Sequence, residues 1–302
     1  MGAGAGDWTT WNSPAGYFVQ YHAQKAKSVG AVPMYTLYQM AQDGATNLGK
    51  LGSSAFMGLY WNNVRLMFQQ IAVVGEPVLV NFEPDFWGYS EEQSGGNPAK
   101  MFANVQINSD CAAISNSVAG IGQCLILMAR KYAPLAYVGF PPSSWAALTD
   151  TEVVAYMNAV DAQNADFVVE QTLDRDIGCY EAKVSYCTGG DARYWDETNT
   201  THPNFGDYLV QVNDYHKGIG NLPVVFWQTP EGVPSSTPGG YAYHFRDNRV
   251  HYFLTHPEEL TAVGALAVVF SDGEGHQTNV ATDGGQFQQL SGQYLASPAL
   301  LP

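Results

Sequence analysis

Segments with helical spacing of apolar residues alternate along this chain with short, nearly unbroken apolar runs. Residues 15–30 have the helical spacing and lead into Val32-Pro33-Met34-Tyr35-Thr36-Leu37-Tyr38. Residues 53–74 lead into 78–82, residues 110–132 into 136–140, and residues 150–163 into 166–170. Residues 205–217 lead into 222–227, residues 246–262 into 265–270, and a last helix is predicted over 284–295. Apolar runs of this length read as strands buried on both faces, as in parallel sheets. Tandem helix–strand units imply a parallel sheet with right-handed crossovers. No linker or change of composition divides the chain. The predicted fold is therefore α/β: a single-domain β/α (TIM-like) barrel over 1–302, distorted or with fewer than eight strands, with 1–14 as an irregular N-terminal segment. An open doubly wound sheet is the alternative, but no Gly-rich nucleotide loop follows any strand.

Long segments follow several strands, at 86–109, 171–204, 228–245 and 271–285, and are rich in Gly, Asn, Thr and Tyr. Loops of such length inside a compact domain are usually functional. In a barrel they gather on the face that carries the strands' carboxyl ends.

Composition narrows the function. The net charge is −15 with only 13 Lys plus Arg, which argues against nucleic acid or an anionic membrane as partner. Only 14 % of residues are charged, against a typical ~25 %. No apolar run is long enough to span a bilayer. The start, Met1-Gly2-Ala3-Gly4-Ala5-Gly6, has neither the basic nor the apolar region of a signal peptide. The profile fits a monomeric protein secreted after loss of its leader and acting on a neutral ligand. Cys179 with Cys187, and Cys111 with Cys124, are candidate disulfides. The four cysteines show no zinc spacing. No cofactor and no metal is implied.

The strand ends carry the chemistry. Val78-Leu79-Val80-Asn81-Phe82 stops at Glu83-Pro84-Asp85, and Phe86-Trp87-Gly88-Tyr89 follows at once. Two residues apart on a strand, Glu83 and Asp85 are expected to point the same way, toward the mouth of the barrel. Pro84 between them should end the strand. Other strand ends offer Tyr38 and Gln39, Ser143 and Ser144, Glu170 with Asp174 and Asp176 beyond, Gln228 and Glu231, and Asp272 with Glu274 and His276. An acid-rich ring with few bases suits glycosidic hydrolysis, in which one carboxyl gives a proton and another activates water or attacks the anomeric carbon. Crowding and burial raise carboxyl pKa values, so one acid can stay protonated near neutrality. Trp87, Trp145, Trp195, Trp227, Tyr38, Tyr89 and Phe86 lie at or just past strand ends, where rings can serve as platforms for sugar faces. His244 and His251, seven apart, have no further ligands nearby and read as helix surface.

With Glu83-Pro84-Asp85 at a strand end, the chain resembles glycoside hydrolase family 6, the cellobiohydrolase II and endoglucanase group. The resemblance rests on Glu83-Pro84-Asp85, Tyr35, Trp145 and Asp272-Gly273, and in element order it spans residues 31–298. It implies a distorted barrel with fewer than eight strands, an inverting mechanism, Asp85 as general acid and Asp272 supporting the reaction centre. The family's acids near residues 36–42 and 140 are absent from this chain. The expected activity is hydrolysis of a neutral polysaccharide or oligosaccharide, a β-glucan such as cellulose first. Asp85 is the acid, Asp272 or Glu170 the group that activates water, and Glu83 the support of Asp85. Tyr35, Tyr38, Gln39, Trp87, Trp145, Trp227, Gln228 and His276 are the candidate substrate contacts. The rival readings are a retaining glycosidase using Glu83 with Glu170 or Glu231, and a polysaccharide-binding barrel without turnover.

Overall fold

The computed structural model describes residues 7–42, 44–172, 177–181, 194–234, 246–271 and 277–301. They fall in two compact units, Met1–Val168 with Lys217–Leu222, and Val169–His216 with Pro223–Pro302.

The first unit runs α1 (Phe18–Ser28), β1 (Met34–Leu37), α2 (Ser54–Val74), β2 (Val78–Phe82), α3 (Phe86–Ser94), α4 (Val118–Tyr132), β3 (Ala136–Phe140) and α5 (Asp150–Ala159), then enters β4 (Phe167–Gln171). Local chemistry sets the helix ends. The Ser53 hydroxyl accepts from Phe56 N–H and the Ser117 hydroxyl from Gly120 N–H, each satisfying an orphan donor at a helix start. Thr149 and Glu152 form a reciprocal capping box. Gly75, left-handed at φ 68°, stops α2.

The strands of this unit pair in parallel. Tyr35 lies opposite Val80, Leu79 opposite Tyr137, and Phe140 opposite Val168. Tyr60, Trp61, Val64, Met67, Phe68 and Ile71 form the buried face of α2. A row of rings follows, edge-on from Phe68 to Phe82 at 6.2 Å and from Phe82 to Phe140 at 5.3 Å, then tilted from Phe140 to Trp87 at 5.1 Å. Gly139 admits the Phe167 ring, since a Cβ there would lie 2.2 Å from Cε2. Cys111 and Cys124 form a disulfide, as expected. Asn108 lies against both sulfurs, and Arg65 holds Asn108 and Asp110.

The second unit takes the end of β4, α6 (Ile177–Glu181), most of α7 (Phe205–Gly218), β5 (Val224–Pro230), α8 (Arg249–Thr255), α9 (Pro257–Ala262), β6 (Ala265–Ser271) and α10 (Gln286–Ala296). Phe205 stacks on Tyr252 at 3.8 Å, and Phe253 joins Phe205 to Phe226. β5 and β6 are parallel, with Val224 opposite Ala265. α10 buries no residue. Cys179 is disulfide-bonded; its expected partner, Cys187, lies outside the described residues.

The strand order is β1-β2-β3-β4-β5-β6, and every registered pair is parallel. A doubly wound sheet reverses its order at a switch point. Here each strand follows its sequence neighbour, which is the winding of a β/α barrel, with six strands among the described residues. The expectation of an α/β fold of that type with fewer than eight strands holds. No described helix is long and apolar enough to cross a membrane.

Several elements differ from the sequence-based expectation, among them β5, which is expected over 222–227 and runs Val224–Pro230. α3 occupies a stretch expected to be loop. The predicted helix at 110–132 begins only at Val118, after a 3-10 turn at Ser109–Cys111. The predicted helix at 246–262 is two helices, because Pro257 bars helical backbone at His256, which has φ −128°.

Candidate active site at the end of the second strand

β2 ends at Phe82, earlier than Pro84 suggests, and the next three residues form a strained turn. Glu83 has φ 50° and Asp85 has φ 65° with ψ −35°. Phe86 N–H donates to the Pro84 carbonyl at 2.8 Å. A three-residue loop with that bond and a positive φ at its centre is the rare, strained form of γ-turn. Non-glycine residues in such regions cost on the order of 1–3 kcal/mol each and persist only where the surroundings impose them.

The turn separates the two acids. The expectation that both point to the mouth fails, because the period of two ends with the strand. Glu83 is fully buried, whereas Asp85 is half-buried. Glu83 N–H extends the ladder by donating to the Leu37 carbonyl at 2.7 Å. Its Oε2 accepts from the N–H groups of Gln39, at 2.9 Å, and Met40, at 2.8 Å. Glu83 therefore clamps the chain that leaves β1. Its Oε1 is buried without a hydrogen bond, and the Tyr60 hydroxyl stands beside it outside bonding geometry. Burial pushes the Glu83 carboxyl up to about 7, against the opposing pull of the Met40 and Gln39 amides. Tyr60 is held well above its ordinary value by burial and by the Glu83 charge.

The clamped segment carries Tyr38, whose hydroxyl donates to Asp85 Oδ2 at 2.8 Å. Burial, and then Asp85 itself, push the Tyr38 phenol upward, so it remains a donor. One chain of contacts thus runs from Glu83 through the Gln39 and Met40 amides to Tyr38 and Asp85.

An aromatic wall stands beside this turn. Trp145 is 48 % exposed and meets Tyr89 edge-on at 4.9 Å. Its indole lies on Gly88 of α3. Trp145 is thus open to a ligand, whereas other candidate contacts are core residues. Trp87 is fully buried and donates its indole N–H to the Phe82 carbonyl at 2.8 Å. Tyr35 is buried and donates its hydroxyl to the Val19 carbonyl at 2.7 Å. Gln39 is buried too, with Asn63 donating to its Oε1 at 3.4 Å. These three support the site from beneath.

The second unit holds its own polar group. Glu170, near the end of β4, is 4 % exposed and raises the pKa of the buried Tyr208, which burial already lifts; Arg249 opposes it. Arg249 is buried, paired with Asp247, and lies 4.6 Å above the Trp195 ring. Gln171 donates to Gln228 Oε1 at 2.7 Å, and Gln228 takes φ 54°. Trp227 and Gln228 are half-buried. Glu231 accepts from Val280 N–H at 3.1 Å. His251 pairs with Glu197 on the helix surface. Asp174, Asp176, His244, Asp272, Glu274 and His276 lie outside the described residues. Among the described residues no group of three His, Cys, Asp or Glu side chains is placed to hold a metal ion.

No protein-family model matches the sequence, and no curated protein matches it. At the level of the fold, the chain is similar to the endoglucanase Cel6 from Mycobacterium tuberculosis. That structure contains methyl-cellobiosyl-4-deoxy-4-thio-β-D-cellobioside. The likeness covers 70 % of this chain and 56 % of that one, at 14 % identity and a TM-score of 0.39. It is a remote likeness of fold, to a member of the family named from the strand-end residues.

Sequence reasoning missed three residues here. Tyr60 is read as an ordinary apolar position of a helix, and nothing local marks it as facing a carboxylate. Glu91 and Arg249 look like solvent-facing charges, yet both are buried.

Proposed function

We propose that the protein is a glycoside hydrolase that protonates the leaving oxygen with Asp85. The observation that carries this reading is the turn at 83–85. It holds one carboxylate half-open at a strand end, fixed by the Tyr38 hydroxyl and backed by a second, buried carboxylate. Strained backbone at a polar strand end is a common mark of functional positions.

In this reading Asp85 gives its proton to the glycosidic oxygen as the bond to the anomeric carbon breaks. Water adds to that carbon from the opposite face and loses its proton to a second carboxylate. Asp272 is the first candidate for that base and Glu170 the second. An inverting site places the two carboxyls roughly 6.5–9.5 Å apart. Glu83 is a positioning residue: fully buried, it acts through the segment that carries Tyr38. Its burial also argues against the retaining alternative with Glu83 as acid/base. Trp145 and Tyr89 offer the stacking surface for a sugar ring. The substrate is a polysaccharide or oligosaccharide, with a β-glucan first. The disulfide and the low charge suit a secreted enzyme.

The test is a glycan panel of β-glucans, xylans, mannans, galactans and arabinans with wild type and Asp85→Asn. Hydrolysis with an inverted product anomer by NMR, lowered by several orders of magnitude in Asp85→Asn, is expected. A variant with near-full activity overturns Asp85 as acid. Binding without turnover of any glycan overturns the hydrolase reading.

A further inference from the structure

We infer that a cleft beside Trp145 binds the protonated amino group of a hexosamine unit, so that the preferred glycan is cationic. The sugar in this inference rests on the glycoside-hydrolase reading; the charge preference rests on the cleft alone.

The cleft, of about 390 Å³, is lined by Glu91 and Glu92 of α3, Glu152 of α5, and Ala146, Ala147 and Leu148 between them. Its lining contains no Lys, Arg or His. Glu91 is only 3 % exposed, and its Oε1 is buried without a hydrogen-bond partner. No ion pair among the described residues includes it. A buried carboxylate without a cation is costly, and native structures rarely keep one without a use. Burial, with the charges of Glu152 and Glu92 adding, pushes the Glu91 carboxyl up to about 7. A cation entering the cleft removes that penalty.

Glu152 is set for the same task. The N–H and hydroxyl of Thr149 each donate to its Oε2 at 3.0 Å, which fixes the carboxylate at the start of α5 while the residue stays exposed.

Two observations decide what kind of cation fits. No three ligating side chains converge on a metal ion among the described residues. The cleft, at about 390 Å³, is also far roomier than a single dehydrated ion needs. The occupant is organic. The aromatic platform borders the cleft: Ala146 of the lining follows Trp145 directly, and the Trp145 indole lies on Gly88, three and four residues before Glu91 and Glu92 and so on the same face of α3. A sugar stacked on the exposed Trp145 ring therefore sits next to the acidic cleft. An ammonium group on that unit or its neighbour can pair with Glu91, and the adjoining indole adds attraction for a cation. A peptide lysine has the charge but lacks the flat face that Trp145 offers.

Calorimetric titration with three probes tests this near pH 7, where the Glu91 carboxyl is ionised in part: a β-1,4-linked glucosamine tetramer, its fully N-acetylated form, and cellotetraose. The glucosamine tetramer is expected to bind about 10-fold or more tightly than the N-acetylated one. That advantage should shrink with added salt. It should also collapse in Glu91→Gln, and fall in the double variant Glu92→Gln with Glu152→Gln. Glutamine is isosteric at 91 and keeps the capping box at 152, and thermal melts monitor folding. If Glu91→Gln does not fold, the double variant, on exposed side chains, gives the same reading. Equal binding of the two amino-sugar forms by wild type overturns the inference. So does an advantage that survives in all the variants. Glu91-dependent binding of the glucosamine tetramer in a protein that hydrolyses no glycan sustains the cleft and refutes the hydrolase. Cleavage of neutral glycans with no preference for charge does the reverse.

Discussion

The indole of Trp145 lies so close to Gly88 that a Cβ at that position would fall 2.4 Å from Cζ2 and 2.6 Å from Cη2. Real contacts never come so near. Gly88 is the third residue of α3, where glycine costs a helix at most about 1 kcal/mol relative to alanine. The close approach of the ring is what requires it.

Gly88→Ala therefore sets two effects against each other. Helix propensity gains at most about 1 kcal/mol, while overpacking against a ring and the Cβ of Ser143 costs about 1–3 kcal/mol. Overpacking is expected to win, lowering the melting temperature and swinging Trp145 out of position. Seven tryptophans dilute the fluorescence signal, so the change is read as the difference from a Trp145→Phe background. Glycan affinity should fall with it. Unchanged fluorescence and affinity would show that the ring tolerates the methyl group.

The buried acid at 83 makes stability depend on pH. Its folded pKa, about 7, lies above its ordinary value of 4.5, so the folded protein holds the proton more tightly. Its contribution is complete below about 4.5 and is lost as pH rises through about 7. The full loss is roughly 3 kcal/mol. Glu91 acts in the same sense. Urea midpoints measured across this window should fall with rising pH. In Glu83→Gln the fall should be shallower, because the amide oxygen still accepts from the Gln39 and Met40 N–H groups and carries no charge to bury. Parallel curves for the two proteins would remove Glu83 as the cause.

Tyr38 touches Asp85 directly, and its loss should be felt in turnover. Removing a hydrogen bond to a charged group costs roughly 1.5–3 kcal/mol, or about 10–100-fold. On a glycan that the wild type cleaves, Tyr38→Phe is expected to lower kcat by about that factor with KM nearly unchanged. Loss in KM alone would make Tyr38 a substrate contact and not the partner of the acid.

The fold was legible because its units repeat. Each strand is an apolar run too short for a helix, and each is preceded by a segment of helical spacing. β2 shows this well: Val78 through Phe82 was placed to the residue. α3 escaped because Phe86-Trp87-Gly88-Tyr89 has no apolar stripe, although Gly95 at φ 60°, with Gly96 beyond, is a recognisable helix stop. At the site, Glu83-Pro84-Asp85 could be found from its place at the end of an apolar run. The division of labour between its two acids could not, because it depends on backbone angles that ordinary strand periodicity excludes. The burial of Glu91 was equally hidden. It follows from the packing of α3 against residues more than fifty positions away, such as Tyr156, whose hydroxyl bonds Ser90 at 2.6 Å.

The γ-turn at Asp85 sets durability against usefulness. Glycine adopts a positive φ without steric strain, so Asp85→Gly should relax the peptide, a gain of about 1–3 kcal/mol set against the lost Tyr38 bond and the freer unfolded chain. A search for hardier variants guided by melting temperature alone would have no reason to reject that replacement, which discards the carboxylate proposed as the proton donor.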